Sequence, residues 1–169
     1  MKFIQGILTA LIVLAISAVA VAYSGVLNVA AGAPEPGILQ WFLSTTMKHS
    51  VKSHAREVTA SVEPTDQRAR EGFRIYRAAC VYCHGAPKQD PGDIGKGLNP
   101  KPPYLGDTAG DWTNAELFWI VKNGIKMTGM APYGESLKDD EIWNAVAFVR
   151  KLPELTQAQY RQMEQEIPD

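Results

Sequence analysis

Cysteine and histidine are scarce in this chain: two of the first and three of the second among 169 residues. A structural zinc site takes four ligands, so two thiols do not close one. A thioredoxin-like redox pair would sit near a βαβ pattern, and no such pattern is legible. Charge of either sign is also in short supply. Seventeen basic residues stand against eighteen acidic ones, a net charge of −1, whereas a nucleic-acid binder is usually distinctly basic. No flavin, nucleotide or nucleophile motif appears, and no internal repeat. The length bounds the chain to one domain with some additional structure.

The two cysteines stand together in Cys80-Val81-Tyr82-Cys83-His84. Two thiols three positions apart, followed at once by an imidazole, match the attachment signature of a c-type haem. The spacing has a mechanical reason. On one helical turn both sulfurs reach the two vinyl groups along one porphyrin edge, and the next residue brings a ring nitrogen beneath the iron. A single signature predicts one covalently attached haem c, with Cys80 and Cys83 as tethers and His84 as proximal ligand. With both thiols so engaged, no structural disulfide is expected.

Ahead of this signature, residues 3–22 carry no charge and are almost wholly apolar. About 20 helical residues span the roughly 30 Å hydrocarbon core of a bilayer. The competing reading is a cleaved signal peptide, because Ala18-Val19-Ala20 and Ala20-Val21-Ala22 resemble cleavage sites. Signal h-regions run only about 7 to 15 residues, so an uncleaved anchor over residues 1–23 is expected. Residues 24–62 then form a linker and an amphipathic juxtamembrane helix. Pro34 and Pro36 stop the anchor helix. From residue 38 to about 60, Leu39, Leu43, Met47, Val51 and Val58 recur at helical spacing, with Trp41 and Phe42 near the start. Lys48, Lys52 and Arg56 lie four apart on another face. This pattern suits a membrane interface, a partner subunit, or a helix that simply covers the next domain. His49 and His54, five apart, share no face and are expected to be solvated.

Residues 63–169 are expected to be a monohaem domain. Thr65 is placed to cap a helix running to about residue 80, with Asp66 in its first turn. Gly72 inside that helix costs about 1 kcal/mol against alanine, and a close helix crossing would account for it. Residues 85–110 hold six glycines and five prolines, which exclude a regular helix or central strand. A loop of this length wraps something, and one carbonyl within residues 100–103 is expected to accept the Nδ1 proton of His84. Thr113 opens a second helix that stops at Asn123-Gly124. A last strong helix begins after Ser136 or Leu137, with Asp139, Asp140 and Glu141 in its first turn, and stops before Pro153. Residues 156–165 read as a short terminal helix.

The order of these features, from Thr65 to Leu152, resembles the class I c-type cytochromes: helix, Cys-Val-Tyr-Cys-His, proline-rich loop, helix, methionine loop, aromatic-bearing helix. The resemblance implies an all-α haem domain of three to four helices with long loops, here preceded by a transmembrane helix and an amphipathic stalk helix. In that family the distal methionine commonly sits in a Gly-Met-Pro-x-aromatic-Gly setting. Gly129-Met130-Ala131-Pro132-Tyr133-Gly134 is the nearest match, with alanine and proline exchanged. Met130 is therefore the leading sixth ligand, and Met127 and an open site are the alternatives. A thioether there would raise the reduction potential. The resemblance also implies that Gly72 and Tyr76 cross the last helix near Phe148.

Iron with two protein ligands has no vacant position for substrate. The expectation is an electron-transfer protein rather than an enzyme: a bacterial inner-membrane, single-pass carrier or respiratory-complex subunit whose haem domain lies in the periplasm. Its partners would be membrane lipid and redox proteins, from a quinol-oxidising complex or dehydrogenase to a terminal oxidase or reductase. An open or labile sixth position would instead make it a haem peroxidase or gas-binding sensor. Lys88, Lys96, Lys101, Lys122 and Lys126, in or beside the wrapping loops, predict a basic rim that steers acidic partners.

Overall fold

A computed structural model describes residues 2–59 and 62–167, and the described residues form helices and turns with no strand. The chain divides into two compact units, Met1–Pro34 and Glu35–Asp169. The first holds helix α1, Lys2–Ser24, none of whose residues is buried. At 23 residues and a mean hydropathy of 2.4 it is long and apolar enough to cross a membrane.

The second unit begins with α2, Gly37–His54, continued by a 3₁₀ turn, Ala55–Glu57. The helix stops at Glu57, short of the expected residue 60, because Val58 turns to an extended conformation (φ −76°, ψ 92°). The two halves of this helix differ. Val51 and Ala55 are buried, whereas Ile38, Trp41 and Phe42 remain largely exposed. His49 and His54 are exposed, as expected, though His54 is not free of contacts. Its ring stacks on Trp119 at 5.6 Å, and its Nδ1 lies 2.8 Å from the Ser50 carbonyl. The C-terminal half of α2 thus covers the domain that follows it.

That domain is built on the crossing of α3, Asp66–Ile75, with α8, Asp139–Lys151. Thr65 caps α3 by accepting the Arg68 N–H at 3.2 Å. The crossing is close because Gly72 has no side chain: a Cβ built there would lie 1.8 Å from the Asn144 carbonyl oxygen. Rings then pack across the contact. Phe73 and Tyr76 sit 5.3 and 5.0 Å from Phe148, and all three side chains are fully buried. Each such ring contributes about 1.5–3 kcal/mol by burial. Arg68 reaches from α3 to Asp140 and Asn144, and Lys151 pairs with Asp66. The terminal helix α9, Gln157–Glu166, lays Tyr160 against Phe73 at 5.3 Å.

The first helix does not simply end near residue 80. After Ile75 the backbone shifts into a π segment, Tyr76–Cys80, and resumes as α4, Val81–His84. The glycine- and proline-rich stretch is not free of helix either. Single turns α5, Asp93–Gly97, and α6, Leu105–Thr108, form within it. Each is too short to break the rule that such composition supports no regular element. Helix α7, Asn114–Asn123, opens with a reciprocal capping box between Thr113 and Glu116 and closes at Gly124, whose φ of +65° places it in the left-handed region that favours glycine. Helix α8 starts two residues later than the sequence suggests, with the Lys138 N–H donating to Glu141 at 2.8 Å. Pro153 is absorbed into a 3₁₀ turn, Leu152–Glu154, and α9 follows over Gln157–Glu166.

Candidate haem-attachment site

Cys80 closes the π segment, and Cys83 and His84 lie on α4, so all three sit within one turn and a half of continuous helix. Both thiols are free and partly buried. Burial, reinforced by the neighbouring Cys83, pushes the Cys80 thiol up to about 12. A reactive, redox-active cysteine is instead held as a thiolate by a depressed pKa, and Cys80 has the opposite environment. Among the described residues no group of three or more His, Cys, Asp and Glu side chains is arranged to hold a metal ion.

His84 is oriented by the loop that follows it. Its Nδ1 lies 2.7 Å from the Pro103 carbonyl oxygen, one of the carbonyls expected from the sequence. A carbonyl only accepts, so Nδ1 carries the proton and Nε2 keeps its lone pair. Burial lowers the imidazole's pKa, the bond to Pro103 opposing it in part, and favours the neutral ring that coordinates metal. The tyrosine-bearing helix supports the same turn. The fully buried Tyr76 hydroxyl donates to the Gly85 carbonyl at 2.7 Å. The loop folds back on α4 through the Gly92 N–H, which donates to the Tyr82 carbonyl at 2.9 Å.

Across the domain, the segment between α7 and α8 carries the two candidate distal methionines. Met127 is 76% exposed and sits at a φ of +60°. Met130 is half-buried. Its N–H donates to Thr128 Oγ1 at 3.1 Å, and its carbonyl accepts the Ile125 N–H at 3.1 Å. The Leu98 side chain lies directly over Gly129, so this segment touches the loop that wraps His84. The Tyr133 hydroxyl, from a 3₁₀ turn at Tyr133–Glu135, donates to the Ala79 carbonyl at 3.1 Å.

Three side chains that shape the site carry no sequence signal of that role. Tyr76 reads only as a helix-crossing ring, and Tyr133 only as the aromatic of the methionine motif. The Arg150 guanidinium reaches Asn114 and the Ala109 carbonyl at 2.6 Å each, and the Trp112 carbonyl besides. It pins the turn before α7 to α8. A cation near a helix C-terminus is common enough that nothing in the pattern distinguishes this one. The basic rim also changes. Lys88, Lys96, Lys101 and Lys126 are exposed, but Lys122 pairs with Asp139 at 2.6 Å and lies over the Phe118 ring.

The donor set fits a haem: two free thiols three residues apart on continuous helix and an imidazole whose free nitrogen is Nε2. Cys80, Cys83 and His84 would hold it, and the group would supply a one-electron couple. An all-helical domain with this site is a c-type cytochrome domain. The assignment agrees with the family comparison. Residues 67–149 match the model described as cytochrome c oxidase, cbb3-type, subunit III, which marks this stretch as a cytochrome c domain. A quinohemoprotein alcohol dehydrogenase from Comamonas testosteroni is 26% identical over 138 residues, 78% of this chain but only 18% of that enzyme. A chain of the reducing HAO-like protein complex of Kuenenia stuttgartiensis superposes with a TM-score of 0.50 at 22% identity, covering 57% of this chain and 48% of that one. The chain thus spans less than a fifth of the curated relative and about half of the solved one.

Proposed function

We propose that this protein is a membrane-tethered monohaem c-type cytochrome that passes single electrons on the periplasmic side of a bacterial inner membrane. It acts as a carrier or as a subunit of a respiratory complex, between a quinol-oxidising complex or dehydrogenase and a terminal oxidase or reductase. The observation that carries the reading is the His84–Pro103 bond beside two free thiols, because it presents Nε2 and no other ring atom to an iron. The name of the Comamonas relative joins a haem to a dehydrogenase, which agrees with a redox chain as the setting. Helix α1 supplies the tether, and the exposed Ile38, Trp41 and Phe42 of α2 suit the lipid interface. Protein purified from the membranes of a host that matures c-type cytochromes should keep its pigment through denaturation and carry the added mass of one haem. Colourless protein of unmodified mass would sink the proposal.

The exposed lysines act on encounter rather than on chemistry. Replacing Lys96 and Lys126 together with glutamate is expected to slow electron exchange with an acidic partner protein at low ionic strength. The difference should vanish near 1 M salt, where the screening length falls to about 3 Å. Stopped-flow rates that stay equal at low salt would show that steering does not operate here. Lys122 is left out of the pair because its charge is already engaged by Asp139.

A further inference from the structure

We propose that Tyr133 is a positioning residue that latches the Met130 segment onto the haem-attachment turn, and so resists displacement of the distal sulfur by outside ligands. The inference rests on Met130 being the sixth ligand. Tyr133 follows Met130 by three residues, and its hydroxyl donates to the carbonyl of Ala79, the residue immediately before Cys80. On the other side of the turn, the Tyr76 hydroxyl donates to the carbonyl of Gly85, the residue immediately after His84. The peptide groups flanking Cys80 and His84 are thus each held by a tyrosine.

The two bonds differ in what they connect. Tyr76 belongs to the same continuous helix as the turn, so its bond steadies the proximal side alone. Tyr133 comes from the segment between α7 and α8, and joins the candidate distal ligand's segment to the proximal one directly. Ala79 lies in the π segment, a departure from the regular α-helix of the kind frequent at functional sites, and its carbonyl accepts the Tyr133 hydroxyl there. Bonds within the methionine segment, Thr128 to Ile125 and Met130 to Thr128, give it shape. The Tyr133 hydroxyl ties that shape to the turn.

With Met130 as the sixth ligand, imidazole would have to displace its sulfur, and any opening in which the whole segment moves away would break the Tyr133–Ala79 bond. Losing one hydrogen bond should raise the open population, and with it the apparent imidazole affinity, about two- to ten-fold. The test is an imidazole titration of the oxidised full-length protein in detergent, followed by absorption, for wild type, Tyr133→Phe and, as a control, Tyr160→Phe, a buried tyrosine whose hydroxyl has no hydrogen-bond partner among the described residues. The expected result is tighter imidazole binding by Tyr133→Phe and wild-type affinity for Tyr160→Phe, each keeping the long-wavelength sulfur-to-iron band before imidazole is added. Unchanged affinity in Tyr133→Phe, or an equal rise in both variants, would overturn the latch. A wild-type protein without the sulfur band would instead show that the Met130 reading has failed, before any variant is compared.

Discussion

Gly72→Ala is expected to abolish the folded, haem-loaded domain. Two effects compete at this position. Alanine in a helix interior is favoured over glycine by about 1 kcal/mol, which alone would stabilise α3. Against it stands a Cβ 1.8 Å from the Asn144 oxygen and 2.4 Å from the Asn144 carbonyl carbon. Those are backbone atoms of the facing helix, so no rotamer change relieves the contact. Helices α3 and α8 must separate, and the rings of Phe73, Tyr76 and Phe148, fully buried across that crossing, lose contact together. Overpacking a core typically costs about 1–3 kcal/mol. Here it also parts the principal helix pair, and a domain of this size has only about 5–15 kcal/mol in hand. The clash wins. The measurement is the yield of pigmented protein and its thermal midpoint. Gly97→Ala, where a Cβ would meet nothing within 4 Å, should behave as wild type. A Gly72→Ala protein with a near-native midpoint would mean that the crossing is looser than this structure has it.

Met130→Ala is expected to leave pigmentation intact while removing the sulfur-to-iron absorption band and opening the distal position. The proposed tethers Cys80 and Cys83, with His84, lie on a different segment, so attachment would not depend on the methionine. Sulfur favours ferrous iron and raises the potential. Its loss should lower the midpoint on the order of 0.1 V, within the roughly 0.8 V range that axial ligands span. Redox titration and carbon monoxide binding to the reduced protein check both consequences. Met127→Ala should change neither, since Met127 stands 76% exposed. If Met127→Ala removes the band and Met130→Ala keeps it, the ligand assignment moves to the exposed residue.

Features carried by a few neighbouring residues were legible in the sequence. The caps at Thr65 and Thr113, the stop at Gly124 and the grouping of Cys80, Cys83 and His84 all follow from short-range chemistry. So does the expectation that a carbonyl within residues 100–103 would take the Nδ1 proton, since a proline-rich loop frees carbonyls and removes competing N–H groups. The division of α2 was not legible. Its apolar stripe is continuous in the sequence, and only contact with Trp119 separates the covered half from the exposed one. The π segment was hidden for a similar reason: its five residues are compatible with an ordinary helix, and packing decides the register.

The sequence by itself determined the long apolar helix α1, the helical order and the grouping of Cys80, Cys83 and His84, because each depends on hydropathy, capping or spacing over a few neighbouring residues. Tertiary structure alone decided that Lys122 is neutralised by Asp139, that Arg150 pins the turn before α7, and that Tyr133 reaches Ala79 across 54 residues. Hydrogen bonds and ion pairs between distant segments depend on where the chain returns to itself, and that is set by the α3–α8 crossing rather than by any local run of residues.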